Sequence, residues 1–126
     1  MKNLLSIDFG ERYMGFAVRT VKTQIPIPIE VVDIKKNNIT NKLTTYVNSY
    51  DINKIIIGYP LGMNLSKNRM TNNVDRFIEE ELKKYNLPIS KIDERFTSEL
   101  IKNTKKDRVD DLSALEILET YIKNND

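Results

Sequence analysis

The chain has no cysteine and no histidine among its 126 residues. The first absence excludes disulfides and thiolate nucleophiles, and the second excludes imidazole bases. Together they exclude zinc sites with Cys or His ligands. Any catalysis must rest on Asp, Glu, Lys, Tyr, Ser or Thr. A metal in such a chain takes hard oxygen ligands, which favour magnesium or manganese over metals of softer sites. No apolar run is long enough to span a membrane. The brief run near the N-terminus is cut by Asp8 and does not read as a signal peptide, so a cytoplasmic protein with no membrane partner is expected. A surplus of one charge is missing too: 20 Lys and Arg against 18 Asp and Glu leave a formal +2. Only clustering of the charges could then argue for nucleic acid. With 40% hydrophobic and 30% charged residues the composition is that of a globular protein, and the length fits a single domain over 1–126.

What is present begins with Asp8. It ends the apolar run Leu4-Leu5-Ser6-Ile7 and precedes Phe9 and Gly10, which reads as a buried strand that stops on a carboxylate. Burying an ionised carboxylate is expensive unless it is paired or binds a metal. The plainer reading is an Asp that starts a turn by bonding backbone amides.

Leu4 to Phe9 reads as a first strand and Tyr13 to Thr20 as its hairpin partner across the turn Gly10-Glu11-Arg12. Gly15 in the second strand suggests close backbone approach or a bulge. Ile27 to Ile34 reads as a third strand, which Pro26 and Pro28 place at an edge. Then the period changes. Ile39, Leu43, Tyr46, Val47 and Tyr50 fit one face of a helix. Lys54 to Ile57 reads as a short buried strand broken by Gly58-Tyr59-Pro60, and Val74, Phe77, Ile78, Leu82 and Tyr85 as a second helix. Leu87 to Asp93 follows as a fifth strand, Thr97 to Asn103 as a short helix, and Leu112, Leu115, Leu118, Tyr121 and Ile122 mark the last helix. The order β-β-β-α-β-α-β-α-α implies an α/β fold with a mixed sheet and helices packed on it. Ligands of such sheets sit beyond the carboxyl ends of parallel strands. That places Asp8, the Gly58 loop and the pair Asp93-Glu94 on one rim.

Successive strand residues face opposite sides, so only one of Asp93 and Glu94 is expected at the site. Asp110 precedes the last helix, where its plainer role is an N-cap, a role that Asp111 could take instead. Three converging carboxylates without His suit a two-metal phosphoryl-transfer site. Divalent ions would neutralise their repulsion and clamp the attacking and leaving oxygens of an in-line displacement. Lys102, Lys105, Lys106 and Arg108 form a basic cluster just before Asp110. Such a run is either a solvated loop or a contact to a phosphate backbone. Lys67 and Arg69 could extend that surface, and Tyr59 could stack on a base.

Four stretches occur in order: LLSIDFGERYMGFAV, IIIGYPLGMN, DERFTSE and RVDDLSALEILETYI. As a set they resemble the YqgF/RuvX family, nucleases related to Holliday-junction resolvases and regarded as maturing the 5′ end of pre-16S rRNA. The resemblance covers essentially the whole chain. It implies an RNase H-like fold: a five-stranded mixed sheet, three antiparallel strands and then two parallel to the first, with helices on both faces. It also implies a nuclease site with Mg2+ or Mn2+, two ions in all. Position by position, Asp8, Glu94 and Asp110 match the family's acids, with Asp93 as the alternative to Glu94. Asp8 would bridge both ions, and the other two would hold one each. Arg12, Lys67, Arg69, Arg95, Lys105, Lys106 and Arg108 would position phosphates. The segment from Glu99 to Arg108 is shorter than is usual in the family, and Asn64-Leu65 stands where an acidic-Gly pair is common.

The leading expectation is a metal-dependent endonuclease acting on structured RNA, pre-16S rRNA, in ribosome biogenesis. The alternatives are a resolvase of branched DNA and a non-catalytic RNA-binding assembly factor, with the protein a monomer or a homodimer. A kinase-like ATPase, suggested by Asp8-x-Gly10, would need a second domain that 126 residues do not hold.

Overall fold

The computed structural model describes residues 1–62, 66–93 and 111–125. Its frame is a five-stranded sheet in the order β3-β2-β1-β4-β5. The strands are β1 (Leu4–Asp8), β2 (Tyr13–Arg19), β3 (Ile27–Asp33), β4 (Lys54–Tyr59) and β5 (Ile89–Asp93). β1 pairs antiparallel with β2, and β2 with β3; β1 pairs parallel with β4, and β4 with β5. Both signals in the sequence are borne out: local hairpins where turns are short, and parallel pairing where a helix intervenes.

Period-2 alternation divides the sheet into two faces. Leu5, Ile7, Phe16, Val18, Ile55, Ile57 and Tyr59 point into the larger core. This core is covered by α1 (Ile39–Ser49) and α2 (Arg69–Phe77). Leu4, Ala17 and Ile56 point the other way, against Ala114, Ile117, Leu118 and Tyr121 of α3 (Asp111–Asn125). Each such Leu or Ile, fully buried, contributes about 1.5–3 kcal/mol. Helices therefore lie on both faces, as expected.

Local chemistry sets the element ends. Asn38 caps α1 by accepting the Asn41 amide. Asn68 and Thr71 form a reciprocal capping box at the start of α2. That box starts the helix at Arg69, five residues before Val74, where the apolar period begins. α2 passes into a π-helical turn (Ile78–Leu82) and a 3-10 turn (Lys83–Tyr85), which ends at Asn86 with φ 55°. β4 runs through Gly58 to Tyr59, beyond the expected break after Ile57, because both residues stay paired with β5. β5 begins at Ile89, after Pro88 rather than at Leu87. The sheet's irregularity is not at Gly15. It lies opposite Phe16 and Ala17, where Ile29 is the extra residue of β3, the edge strand that Pro26 and Pro28 foretold. The expected helix from Thr97 to Asn103 lies outside the described residues.

Candidate active site

Asp8 is the last residue of β1, the central strand. Its neighbours fix its direction. Leu5 and Ile7 lie in the larger core, and Phe9 packs against it, with its ring 5.3 Å from that of Phe77. Asp8 therefore shares the opposite face with Leu4 and Ser6. That is the face α3 covers, and the buried Ser6 hydroxyl donates to the Ala114 carbonyl at 2.8 Å. Further along α3, the Lys54 ammonium lies 5.0 Å from the Tyr121 ring centroid. Lys54 opens β4, so α3 runs from the strand ends back toward the strand starts, antiparallel to β1 and β4.

The positions beside Asp8 carry no side chains. On β2 its partner is Gly15. The ladder to β4 runs to Ile7 and Ile57, and the next position on β4 is Gly58. A carboxylate between two glycines leaves bare backbone on either side, which suits close approach by a bulky polyanion. Gly10, just beyond, is required on steric grounds. A Cβ there would lie 2.2 Å from the Tyr13 carbonyl oxygen.

Asp93 ends β5 opposite Tyr59. It shares its face with Ile89 and Lys91, so it stands on the α2 side of the sheet, opposite to the side of Asp8. That side carries a polar cluster which was not anticipated. The Tyr59 hydroxyl donates to Asp75 at 2.8 Å, Lys91 donates to the other Asp75 oxygen at 2.7 Å, and Lys67 approaches at 3.9 Å. Lys91 also lies 4.4 Å from the Tyr59 ring centroid. Burial pushes the Asp75 carboxyl up, but the hydrogen bonds from Lys91 and Tyr59 outweigh it and hold the group below its ordinary value. Lys91 is raised, chiefly by its bond to Asp75. Tyr59 itself is buried, which corrects the expectation that it could stack on a base.

Three of the expected phosphate contacts are described, and each is paired with an acid. Arg12 makes a fork to Asp33 at 3.1 and 3.3 Å, which raises the guanidinium and lowers the carboxyl. Arg69 pairs with Glu11, which also accepts from Asn73 at 2.9 Å. Lys67 makes the long contact to Asp75. The side chains of Arg12, Lys67 and Arg69 remain 46%, 67% and 72% exposed. Ion pairs whose basic member is this exposed are weakly held and screened by solvent. Glu94, Arg95, Lys105, Lys106, Arg108 and Asp110 lie outside the described residues. Among the described residues no three acids gather into a metal-binding group, and no helix is long and apolar enough to cross a membrane.

The sequence pattern of the RuvX family, described as Holliday junction resolvase, matches residues 2–124. The chain belongs to the RuvX family. A relative from Rickettsia felis is 32% identical over 94% of this chain and 84% of its own length, and one from Sulfurihydrogenibium is 31% identical over 97% and 90%. Both carry the name "Putative pre-16S rRNA nuclease". Among solved structures, Thermus thermophilus RuvC in complex with a Holliday junction substrate superposes with a TM-score of 0.65 at 13% identity, covering 99% of this chain and 97% of that one. The fowlpox virus Holliday junction resolvase gives 0.52 at 13% identity, covering 97% and 99%. At these identities the structures establish the fold, which is RNase H-like. This RuvX-family chain is a nuclease, a hydrolase of phosphodiester bonds.

Proposed function

We propose that the chain is a divalent-metal-dependent endonuclease that processes the 5′ end of pre-16S rRNA in the cytoplasm. Asp8, Glu94 and Asp110 are its metal ligands. The observation that carries the reading is Asp8 itself: a carboxylate ending the central strand, between Gly15 and Gly58, on the face that α3 covers. The names of the relatives supply the substrate class. Hard oxygen donors in a chain without His or Cys fit Mg2+ or Mn2+, and Asp8 fits as one ligand of such an ion. A divalent ion held there supplies neutralisation of the charge that develops on the leaving oxygen. Pleat alternation supports Glu94 over Asp93, because Asp93 shares the face of Lys91 while a continued strand turns its next residue to the face of Asp8. Arg12, Lys67 and Arg69, exchanging their acids for phosphates, hold the RNA backbone beside the strand ends. Arg95 and the basic run of Lys105, Lys106 and Arg108, close in sequence to Glu94 and Asp110, extend that surface.

The experiment is cleavage of a pre-16S rRNA 5′ leader in magnesium, with wild type against Asp8→Asn. Wild type cuts, and Asp8→Asn loses activity by about a hundred-fold or more. Equal rates in the two proteins would remove Asp8 from the catalytic set.

A branched-DNA resolvase is the second reading, favoured by the family's description and by the likeness to RuvC. Cutting two strands calls for two sites related by two-fold symmetry. Sedimentation decides: a strict monomer in the presence of junction DNA excludes this reading.

A further inference from the structure

We propose that Tyr13, backed by Arg12, is a stacking platform for an unpaired nucleobase next to the scissile phosphate. The proposal rests on the reading of Asp8 as an acid of the nuclease site.

Tyr13 stands on the face of Asp8. Asp8 pairs with Gly15 across β1 and β2, and directly paired residues share a face. Tyr13 is two residues from Gly15 along β2, so it keeps that face. The register makes it a diagonal neighbour of Asp8, about 7–8 Å away between backbones. Gly15, between them on that face, has no side chain to separate ring from carboxylate. Because β2 runs antiparallel to β1, Tyr13 also lies on the side toward which β1 ends.

Exposure along this face changes within two steps. Ala17 is fully buried against α3, Gly15 is buried, and Tyr13 is 46% exposed. The Arg12 guanidinium lies over the ring, 5.2 Å from its centroid. That cation covers one face of the ring, and the exposure is what remains with it in place. Arg12 is itself held by its fork to Asp33, the residue paired with Tyr13 across β2 and β3. The Arg12 carbonyl accepts the Ile34 amide at 2.8 Å. The backbone under the ring is therefore tied into the sheet, and a flat ligand can settle on it at little ordering cost.

An open aromatic ring with a guanidinium behind it, beside an acid that handles phosphate, has the chemistry of single-strand recognition. Stacking needs a free π-face, so the base that sits there must be unpaired. A purine, with the larger face, is held better than a pyrimidine. Tyr59, the aromatic residue expected to stack, is buried on the other side of the sheet. Tyr13 fills that role on the side of Asp8.

The probe is a pre-16S rRNA 5′-leader RNA carrying a single 2-aminopurine on one or the other side of the junction with the mature end. Binding is read in EDTA by the quenching of its fluorescence on stacking. Wild type is expected to quench one of the two positions. Tyr13→Leu loses the quenching and binds about ten-fold more weakly, and Tyr13→Phe, which keeps the ring, restores both. With an abasic nucleotide at the quenched position, wild type and Tyr13→Leu bind alike. No quenching by wild type, or quenching that survives Tyr13→Leu, overturns the proposal. So does a ten-fold loss that persists on the abasic RNA, since the ring then acts only by holding Arg12. Cleavage in magnesium by Asp8→Asn stands apart: a wild-type rate removes Asp8 from the site, while the quenching still reports whether a base sits on Tyr13.

Discussion

Replacing Gly10 by alanine puts one methyl group where the fold has no room for it. The added Cβ would sit 2.2 Å from the Tyr13 carbonyl oxygen and 3.3 Å from its carbon. Ordinary contact begins near 3.4 Å, so the turn or the carbonyl must retreat by about 1.2 Å. Neither can do so cheaply. Tyr13 opens β2 opposite Asp33, and the preceding carbonyl, that of Arg12, accepts the Ile34 amide at 2.8 Å. A retreat strains that end of the β2–β3 ladder and shifts the turn that follows Asp8. Overpacking against backbone costs about 1–3 kcal/mol. With an m-value of about 1.5 kcal/mol/M, a loss near the middle of that range lowers the urea midpoint by about 1 M. Equilibrium unfolding followed by circular dichroism measures it. Gly62→Ala is the matched control. Its Cβ would meet the Ser66 Oγ at 3.0 Å, a side-chain atom that can rotate away, so its midpoint moves by less than half as much. Gly10→Ala with a wild-type midpoint, or with a shift no larger than that of Gly62→Ala, would refute the steric reasoning.

Two further outcomes are expected. Asp75 titrates below its ordinary value in the folded protein, so its contribution to stability is full above the unfolded value near 3.8 and is lost as pH falls through the folded one. The stability gap between wild type and Asp75→Asn, read from urea midpoints, should hold from pH 7 down to about 5 and shrink below about 4; a gap unchanged at pH 3 would contradict it. Leu118 is fully buried where α3 meets the sheet. Leu118→Ala is expected to lose about 2–5 kcal/mol in the same assay, and a loss under about 1 kcal/mol would mean that α3 is not packed as described.

Much of the fold was legible because its signals are local. Alternation in β1 and β2, the prolines at β3, and the helical spacing of Leu43 with Tyr46 and of Leu118 with Tyr121 each occupy a short window. The failures came where an element's end depends on a partner. Gly58 has the local signature of a break, yet its pairing with Ile92 keeps it in β4. The apolar period alone places the start of α2 too late, whereas Asn68 and Thr71 spell a capping box that starts it at Arg69. At the site, the strand-end position of Asp8 was visible, and pleat alternation gave the expectation that only one of Asp93 and Glu94 reaches it. The side that Asp93 would take was not visible, since that depends on the register of β5 against β4. The acids that hold Arg12, Arg69 and Lys67 were equally hidden, because Asp33 and Glu11 lie 21 and 58 residues away from their partners and Asp75 belongs to a different cluster. Ser6 could have been noticed. It is a polar residue two positions before Asp8 in an otherwise apolar strand, so it shares that residue's face.

The bulged edge at β3 bears on how copies of this chain can meet. Ile25 and Ile27 are 63% and 44% exposed beside the open side of the sheet, and a flat edge with such side chains would invite strand addition and fibrillar growth. Pro26 and Pro28 offer no N–H to an incoming strand, and the extra residue at Ile29 throws the ladder out of step. The edge is therefore closed to continuation of the sheet from one molecule into the next. Pairing of two copies along this edge would have to be made by side chains, leaving the apolar tip tolerated because its backbone cannot template.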